Sequence, residues 1–143
     1  MAGVSFQKLW DNHPGIPSYP CDQKTFENQC AIRMGVAFHG AGINMDSFKG
    51  ASCWIAGHKG KGHILRAQEF ANWLKMFLGK PQTFKKKDKT VDKNLKNKKG
   101  IVFIQDGWGA TDHIDLWNGS QLKGGYLNYF LVNWKALWFW ELT

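Results

Sequence analysis

Cys30 and His113 are the two residues of this 143-residue sequence whose chemical types best suit covalent catalysis. A thiol attacks a carbonyl carbon only as its thiolate, and the first turn of a helix stabilises that anion through unpaired backbone N–H groups and the helix dipole. An imidazole must then accept the thiol proton and donate it to the leaving amine. The two side chains together predict a cysteine-dependent peptidase or amidase in which His113 is the base.

A helix from about Glu27 to His39 is expected to place Cys30 in its first turn. Thr25 and Asn28 supply capping side chains. The residues that continue the helix lie at helical spacing: Ala31, Met34, Gly35 and Phe38. The N–H groups of the first turn also suit the oxyanion that forms during acyl transfer. A lone Cys on a helix is more often a packed core residue, so spacing alone does not identify a nucleophile.

His113 is expected on a strand from Asp112 to Trp117 that ends at the tight turn Asn118–Gly119. Alternation along a strand assigns successive side chains to opposite faces. One face then carries Ile114 and Leu116, and the other carries His113, Asp115 and Trp117.

Asp115 is the first candidate for the third catalytic residue, which would orient the imidazole. Neighbours at i and i+2 on a strand stand about 6.5 to 7 Å apart along the chain, so a direct bond to His113 needs a turned rotamer. The amides of Asn128 and Asn118 are the alternatives, since Asn has this role in papain-like proteases.

The remaining elements follow from periodicity, turn residues and charge, and they predict an α+β fold with helices packed on one side of a small antiparallel sheet. We expect one domain over residues 1–143. The expected elements are an irregular lead-in over Met1–Gln23 with at most a turn near Phe6–Trp10, a short strand around Cys53–Ala56, a helix over Leu65–Leu78, a mobile Lys-rich loop over Lys85–Lys99, a buried strand over Gly100–Gln105, a loop over Asp106–Thr111, and a last strand over Ala136–Leu142.

The formal net charge of +8 is local, because ten of the nineteen Lys and Arg residues lie between Lys75 and Lys99 and all ten are Lys. Arg is missing from that stretch and aromatic residues are missing from Lys85–Lys99, and these are the residue types that read and stack on bases, so we expect no nucleic-acid partner. No apolar run is long enough to span a membrane, and the first ten residues lack a signal-peptide pattern.

Three cysteines, Cys21, Cys30 and Cys53, leave two possibilities open. An exported protein would form one disulfide and keep one free thiol, for which Cys30 is the candidate, whereas a reducing compartment would keep all three as small buried residues. We expect no metal and no cofactor, since CxxC, HxxxH and HExxH spacings are absent.

Several of these segments together resemble the type VI secretion system amidase effector 4 (Tae4) family. The similar segments are Asn28–Met34 around the cysteine, Gly79–Pro81 after the second helix, Gly100–Ile104, Gly107–Trp108, His113–Gly119 around the histidine, and Leu137–Trp140. The resemblance covers most of the chain and includes the spacing between Cys30 and His113.

The resemblance implies a papain-like fold of the NlpC/P60 type and hydrolysis of peptidoglycan stem peptides between D-glutamate and meso-diaminopimelate. It also implies transport by the type VI apparatus into the periplasm of a target bacterium, and a cognate periplasmic immunity protein that blocks the cleft. In that oxidising compartment, we expect Cys21 and Cys53 to pair. Asn28 and Gln29 beside the cysteine, and Trp108 before the histidine strand, are expected to contact the substrate.

Two features depart from the family pattern. Asp112 stands where many members have Gly before the histidine, and no carboxylate lies in Ser120–Asn128, where many carry the orienting Asp. The competing hypothesis is a basic, aromatic-rich module that binds an anionic glycan or nucleic acid without catalysis. A third is acyl transfer on lipids by the same Cys and His, which would need an apolar membrane-facing segment.

Overall fold

The computed structural model describes residues 4–16, 20–21, 28–52, 62–85 and 91–143. Helices and strands alternate irregularly within these ranges, and the four strands form one sheet. The elements are α1 Phe6–Asn12, α2 Cys30–Gly40, α3 Ala67–Phe77, β1 Gln82–Lys85, α4 Val91–Asn94, β2 Gly100–Trp108, β3 Thr111–Trp117, a 3-10 helix Leu127–Leu131, and β4 Ala136–Glu141.

The sheet is antiparallel with the strand order β1-β4-β2-β3. The central strand β2 contains the run Ile101–Ile104, which is buried on both faces of the sheet. The helices α1 to α3 cover one face, and Leu95 with the segment around the 3-10 helix covers the other. β3 lies at the sheet edge, where Ile104 pairs with His113 and Val102 pairs with Asp115. The end of this strand is also bonded on its other side, where the Leu116 carbonyl accepts the Lys123 N–H at 3.0 Å.

Two apolar clusters cover the two faces of the sheet. The first joins α1, α2 and α3 to Ile101, Phe103, Ile114 and Leu116. The second packs Val102, Ile104 and Trp117 against Leu95 and the segment around the 3-10 helix. Ile114 and Leu116 thus face the helices while Trp117 faces away, which confirms the predicted alternation of β3.

The α+β prediction is confirmed, and α2, α3 and β4 lie within three residues of their predicted bounds. The irregular lead-in is wrong for Phe6–Asn12, which is helical because the Ser5 hydroxyl caps Lys8 N–H and two apolar side chains enter the core. The loop predicted from Asp106 is also wrong at its start, since β2 continues to Trp108 through a β-bulge. The short strand expected around Cys53–Ala56 lies outside the described residues.

Gly35 in the middle of α2 is explained by a close approach of backbone. A Cβ at this position would overlap the carbonyl oxygen of Gly62, so only glycine lets the segment before α3 lie against α2. The contact fixes the helix that begins at Cys30.

Part of the Lys-rich segment Lys85–Lys99, predicted to be a mobile loop, is ordered. Residues 86–90 lie outside the described ranges, but Val91–Asn94 is a helical turn and Leu95 is fully buried in the second cluster. The Trp117 indole N–H donates to the Leu95 carbonyl at 2.8 Å. The prediction of a mobile loop up to Lys99 is therefore wrong from Val91 onward, because one apolar residue among the lysines anchors the chain to the sheet.

Within the described ranges, no helix is long and apolar enough to cross a membrane.

Leu95→Ala is expected to lower the free energy of unfolding by about 2 to 5 kcal/mol, because it opens a cavity against Trp117. Lys96→Ala is the matched control, since Lys96 is exposed and its replacement should cost less than about 0.5 kcal/mol. Urea denaturation of both variants measures the difference. Equal stability of the two variants would show that the Lys-rich segment is not part of the core.

Candidate active site

Cys30 is the first residue of α2 and is buried. Its backbone N–H donates to the side-chain oxygen of Asn28 at 3.2 Å, so Asn28 satisfies the first N–H of α2, although the N-cap position is Gln29. Thr25, the other residue predicted to cap this helix, lies outside the described residues. The Cys30 thiol donates to the carbonyl oxygen of Asp112 in β3, with 3.8 Å between sulfur and oxygen. Asn28 Nδ2 donates to the same carbonyl at 3.2 Å. Two contacts thus fix the N-terminus of α2 to the strand that carries His113.

His113 lies between the thiol and a carboxylate. Its Nε2 is 2.8 Å from Asp115 Oδ2, and the Cys30 thiol is near enough to favour the protonated ring. Because Nε2 faces Asp115, Nδ1 is the nitrogen that remains for the thiol. Asp115 is 0% exposed, and its other oxygen, Oδ1, accepts the backbone N–H groups of Leu116 and Gly124, each at 2.8 Å. The turned rotamer that a direct bond requires is therefore present and held by two further donors.

The surroundings of His113 favour its protonated form. Burial alone would lower the pKa of His113, but hydrogen bonds to Asp115 and Cys30, together with their negative charges, outweigh it and raise the pKa to about 10. An imidazolium held next to a thiol at a helix N-terminus is the setting in which a thiolate is stabilised. The arrangement can therefore supply a nucleophile and a proton donor at neutral pH.

His13 is a neighbour of the site that the sequence did not reveal. It lies in the segment predicted to be an irregular lead-in, yet it is 4% exposed and its Nε2 lies 3.7 Å from Asp115 Oδ1. Burial lowers the pKa of His13 to about 4, so its imidazole is neutral. No local pattern around Pro14 and Gly15 signals this contact, because the partners are far apart in sequence.

A cleft of about 150 Å³ opens beside His113. Asn28 and Asp112, which both contact Cys30, form part of its lining together with Thr111, Trp108 and Tyr129. Cys30 therefore lies next to the lining of this cleft.

Two aromatic rings flank the imidazole in the cleft. Trp108, 39% exposed, packs edge-on against His113 with 6.0 Å between ring centroids, and Tyr129 does so at 4.9 Å. The two rings also contact each other, with their centroids 5.0 Å apart. Burial raises the pKa of Tyr129, with the negative charge of Asp115 acting in the same direction, so its hydroxyl remains a donor. Tyr129 was missed because the 3-10 helix that carries it has no periodic sequence signal.

Three other candidates have different surroundings. Gln29 is 2% exposed, and its amide exchanges two hydrogen bonds with the backbone of Cys21, at 3.3 and 3.4 Å. The Asn118 side-chain oxygen closes a turn by accepting N–H groups two and three residues on. Asn128 is exposed in the 3-10 helix. Of Asp115, Asn118 and Asn128, the three candidates for the orienting residue, Asp115 is the one whose side chain is bonded to His113.

Cys21 and Cys30 differ in oxidation state. Cys21 is disulfide-bonded, whereas Cys30 is a free thiol. Cys53, the partner expected for Cys21, lies outside the described residues. Among the residues with described positions, no cluster of three or more His, Cys, Asp or Glu side chains could hold a metal ion.

The fold closely matches those of solved type VI effectors. The effector in the Tae4-Tai4 effector-immunity complex from Salmonella Typhimurium superposes with a TM-score of 0.75 at 22% identity, covering 97% of this chain and 98% of the other. The effector Tae4 from Enterobacter cloacae gives 0.74 at 23% identity over 100% of both chains. The Tae4-Tai4 complex from Enterobacter cloacae gives 0.70 at 21% identity, covering 97% of this chain and 98% of the other. These matches confirm the papain-like fold.

Sequence comparisons give the family. No curated protein matches the sequence. The family model described as "Type VI secretion system (T6SS), amidase effector protein 4" matches residues 26–140, a span that includes Cys30, His113 and Asp115. The chain therefore belongs to the type VI secretion amidase effector 4 (Tae4) family and is an antibacterial amidase effector that acts on peptidoglycan in the periplasm of target bacteria.

Proposed function

We propose that this effector cleaves the peptidoglycan stem peptide between D-glutamate and meso-diaminopimelate, with Cys30 as nucleophile, His113 as general acid and base, and Asp115 as the residue that orients His113. The observation that carries the proposal is the placement of the three side chains: the Cys30 thiol contacts the carbonyl of Asp112, the residue before His113, and His113 Nε2 lies 2.8 Å from Asp115 Oδ2. Thiol, imidazole and carboxylate are in the order that cysteine acyl transfer requires.

The first half-reaction forms a thioester. Proton transfer from the Cys30 thiol to His113 Nδ1 gives a thiolate and an imidazolium, and the thiolate sulfur attacks the amide carbonyl carbon. The C–N bond then breaks as His113 donates its proton to the leaving amine of the diaminopimelate residue. Asp115 remains ionised and stabilises the imidazolium through Nε2.

The second half-reaction releases the acid product. Neutral His113 takes a proton from water, whose oxygen attacks the thioester carbon, and the C–S bond breaks to return the thiolate. In both halves a negative oxygen forms near the N-terminus of α2, where the helix dipole favours it. The exposed Asn28 side chain can turn and release the Cys30 N–H for this oxyanion.

The cleft rim supplies the substrate contacts. We assign Trp108 and Tyr129 to the flanks of the scissile peptide, since both rings line the cleft and pack against His113. Asn28 lines the same cleft and is assigned to the substrate carbonyl. Gln29 was also expected to contact the substrate. Its buried amide is bonded to the backbone of Cys21, so we assign Gln29 to positioning the start of α2 instead.

A cognate immunity protein follows from the same family. Two of the three solved structures compared above are complexes of Tae4 with the immunity protein Tai4. We infer that this chain has a periplasmic immunity partner that blocks the cleft beside His113 and protects the producing cell.

Digestion of purified sacculi tests the reaction. Wild-type protein is expected to release muropeptides that end at D-glutamate, while Cys30→Ala and His113→Ala release none, because each lacks a group that bonds with the substrate or moves its proton. Mass analysis of the products identifies the bond. His39→Ala is the control, since His39 is exposed at the far end of α2. Cleavage by Cys30→Ala would overturn the mechanism, and products from another bond would overturn the assigned specificity.

Asp115→Asn is expected to lower turnover by roughly ten-fold or more, because the amide presents N–H to Nε2 and favours the wrong tautomer. Asn keeps an acceptor for the backbone N–H groups that Asp115 binds, which Ala would leave unsatisfied and buried. The alkaline limb of the pH profile should also move from about 10 towards the ordinary imidazole value, because the carboxylate raises the pKa of His113. The measurement is kcat against pH on a soluble muropeptide.

Asn128→Ala is the control for this substitution, since Asn128 is exposed. Unchanged turnover and an unchanged alkaline limb in Asp115→Asn, with both lost in Asn128→Ala, would transfer the orienting role to Asn128.

Trp108→Ala is expected to raise KM about three- to ten-fold with a smaller change in kcat, because it removes an aromatic contact with bound substrate. Met76→Ala is the control, an exposed apolar residue on α3 away from the cleft. Steady-state kinetics on the soluble muropeptide separates the two constants. A folded Trp108→Ala enzyme with wild-type KM would limit Trp108 to packing at the strand end.

A further inference from the structure

His13 lies against the Asp115 carboxylate on the side away from His113. It follows α1 directly and precedes the segment that the family model matches, residues 26–140. His13 Nε2 is 3.7 Å from Asp115 Oδ1, whereas His113 Nε2 is 2.8 Å from Asp115 Oδ2. One buried carboxylate is thus placed between two imidazoles.

The tautomer of His13 follows from its other contact. The backbone N–H of Gly15 donates to His13 Nδ1 at 3.0 Å, so Nδ1 is an acceptor and carries no proton. In a neutral imidazole the proton then lies on Nε2, the nitrogen that faces Asp115. The Nε2–H dipole is directed at the carboxylate, although 3.7 Å is longer than a hydrogen bond.

Burial, together with the positive charges around it, keeps the His13 imidazole neutral. Burial lowers the pKa of His13 to about 4, and this outweighs the attraction of Asp115, while the positive charges of Lys123, Arg33 and His113 lower it further. A charged His13 would compete with His113 for the same carboxylate. The proton therefore stays on the imidazole that faces the thiol.

Gly124 makes this arrangement possible. Its N–H donates to Asp115 Oδ1 at 2.8 Å, and a Cβ at Gly124 would lie 3.0 Å from His13 Cε1 and 3.4 Å from Asp115 Oδ1. The absence of a side chain lets His13 and the Gly124 backbone reach the same oxygen. Three polar groups, from His13, Leu116 and Gly124, therefore surround Oδ1.

We propose that His13 is a positioning residue of this amidase: its neutral imidazole holds Asp115 in the rotamer that bonds His113, and so stabilises the His113 imidazolium. The proposal rests on the proposed function for its kinetic consequence, but its structural content concerns only His13, Asp115 and His113. An apolar ring in place of His13 would leave Oδ1 partly desolvated. The carboxylate would keep its two backbone donors but lose the imidazole dipole beside Oδ1, which weakens its hold in the rotamer that bonds His113 Nε2.

An NMR titration of the His113 ring tests this without substrate. In wild-type protein the ring should titrate well above 6.5, and His13→Phe should lower that value by about one unit or more. His13→Gln, which can present a neutral N–H to the carboxylate, should restore most of it. His39→Phe is the matched control, because His39 is exposed at the end of α2. A His113 titration in His13→Phe that is unchanged, or shifted upwards, overturns the proposal.

Gly124→Ala provides a second route if His13→Phe does not fold. The added methyl group presses on His13 Cε1 and should move the ring away from Oδ1, which predicts the same downward shift of the His113 titration. An unshifted titration in a folded Gly124→Ala protein overturns the proposal.

A double-mutant cycle shows whether His13 acts through Asp115. His13→Phe should reduce kcat about ten-fold in the wild-type background and less than about two-fold in Asp115→Asn, with KM unchanged in both. Equal losses in the two backgrounds would mean that His13 supports the fold alone, and would overturn the proposal. Wild-type protein that does not cleave sacculi would overturn the proposed function instead, while the NMR titration still decides the role of His13.

Discussion

The buried carboxylate of Asp115 is the constraint on which the rest of this structure depends. A carboxylate with no exposure costs several kcal/mol of lost hydration unless donors and an opposite charge replace the water. The replacements come from separate parts of the chain: the Leu116 N–H next to it, the Gly124 N–H, the His113 ring, and the His13 ring at the end of α1. The packing of α1 and of the segment after β3 is therefore tied to the chemistry of the site.

The sequence predicted which side chains share a face but not how they bond. Alternation along β3 placed His113 and Asp115 on one face and Ile114 and Leu116 on the other, because a strand has a fixed period of two. The direct bond between i and i+2 depends on rotamers that Gly124, nine residues after Asp115, helps to fix. Spacing carries no information about such a donor. Spacing alone therefore leaves several candidates for the orienting residue.

Elements set by strong local patterns were predictable, and elements set by distant partners were not. The apolar face of α3 and the β-branched run of β2 can be recognised in the sequence as a helix and a buried strand. β1 exists because Phe84 pairs with Leu137 of β4, and the lysines around it gave no strand signal. His13 was missed for the same reason, since its neighbours indicate a turn while its partner lies on β3.

The β-bulge in β2 explains how α2 is held at the edge of the sheet. The register shifts between Ile104 and Trp108, Asp106 adopts a positive φ of 53°, and its N–H donates to the Asp112 carboxylate at 2.8 Å. The Asp112 carbonyl accepts from Asn28 Nδ2 and from the Cys30 thiol. Asp112 thus joins the bulge to the start of α2. The same bulge ends at Trp108, so one local irregularity sets both the position of Cys30 and the rim of the cleft.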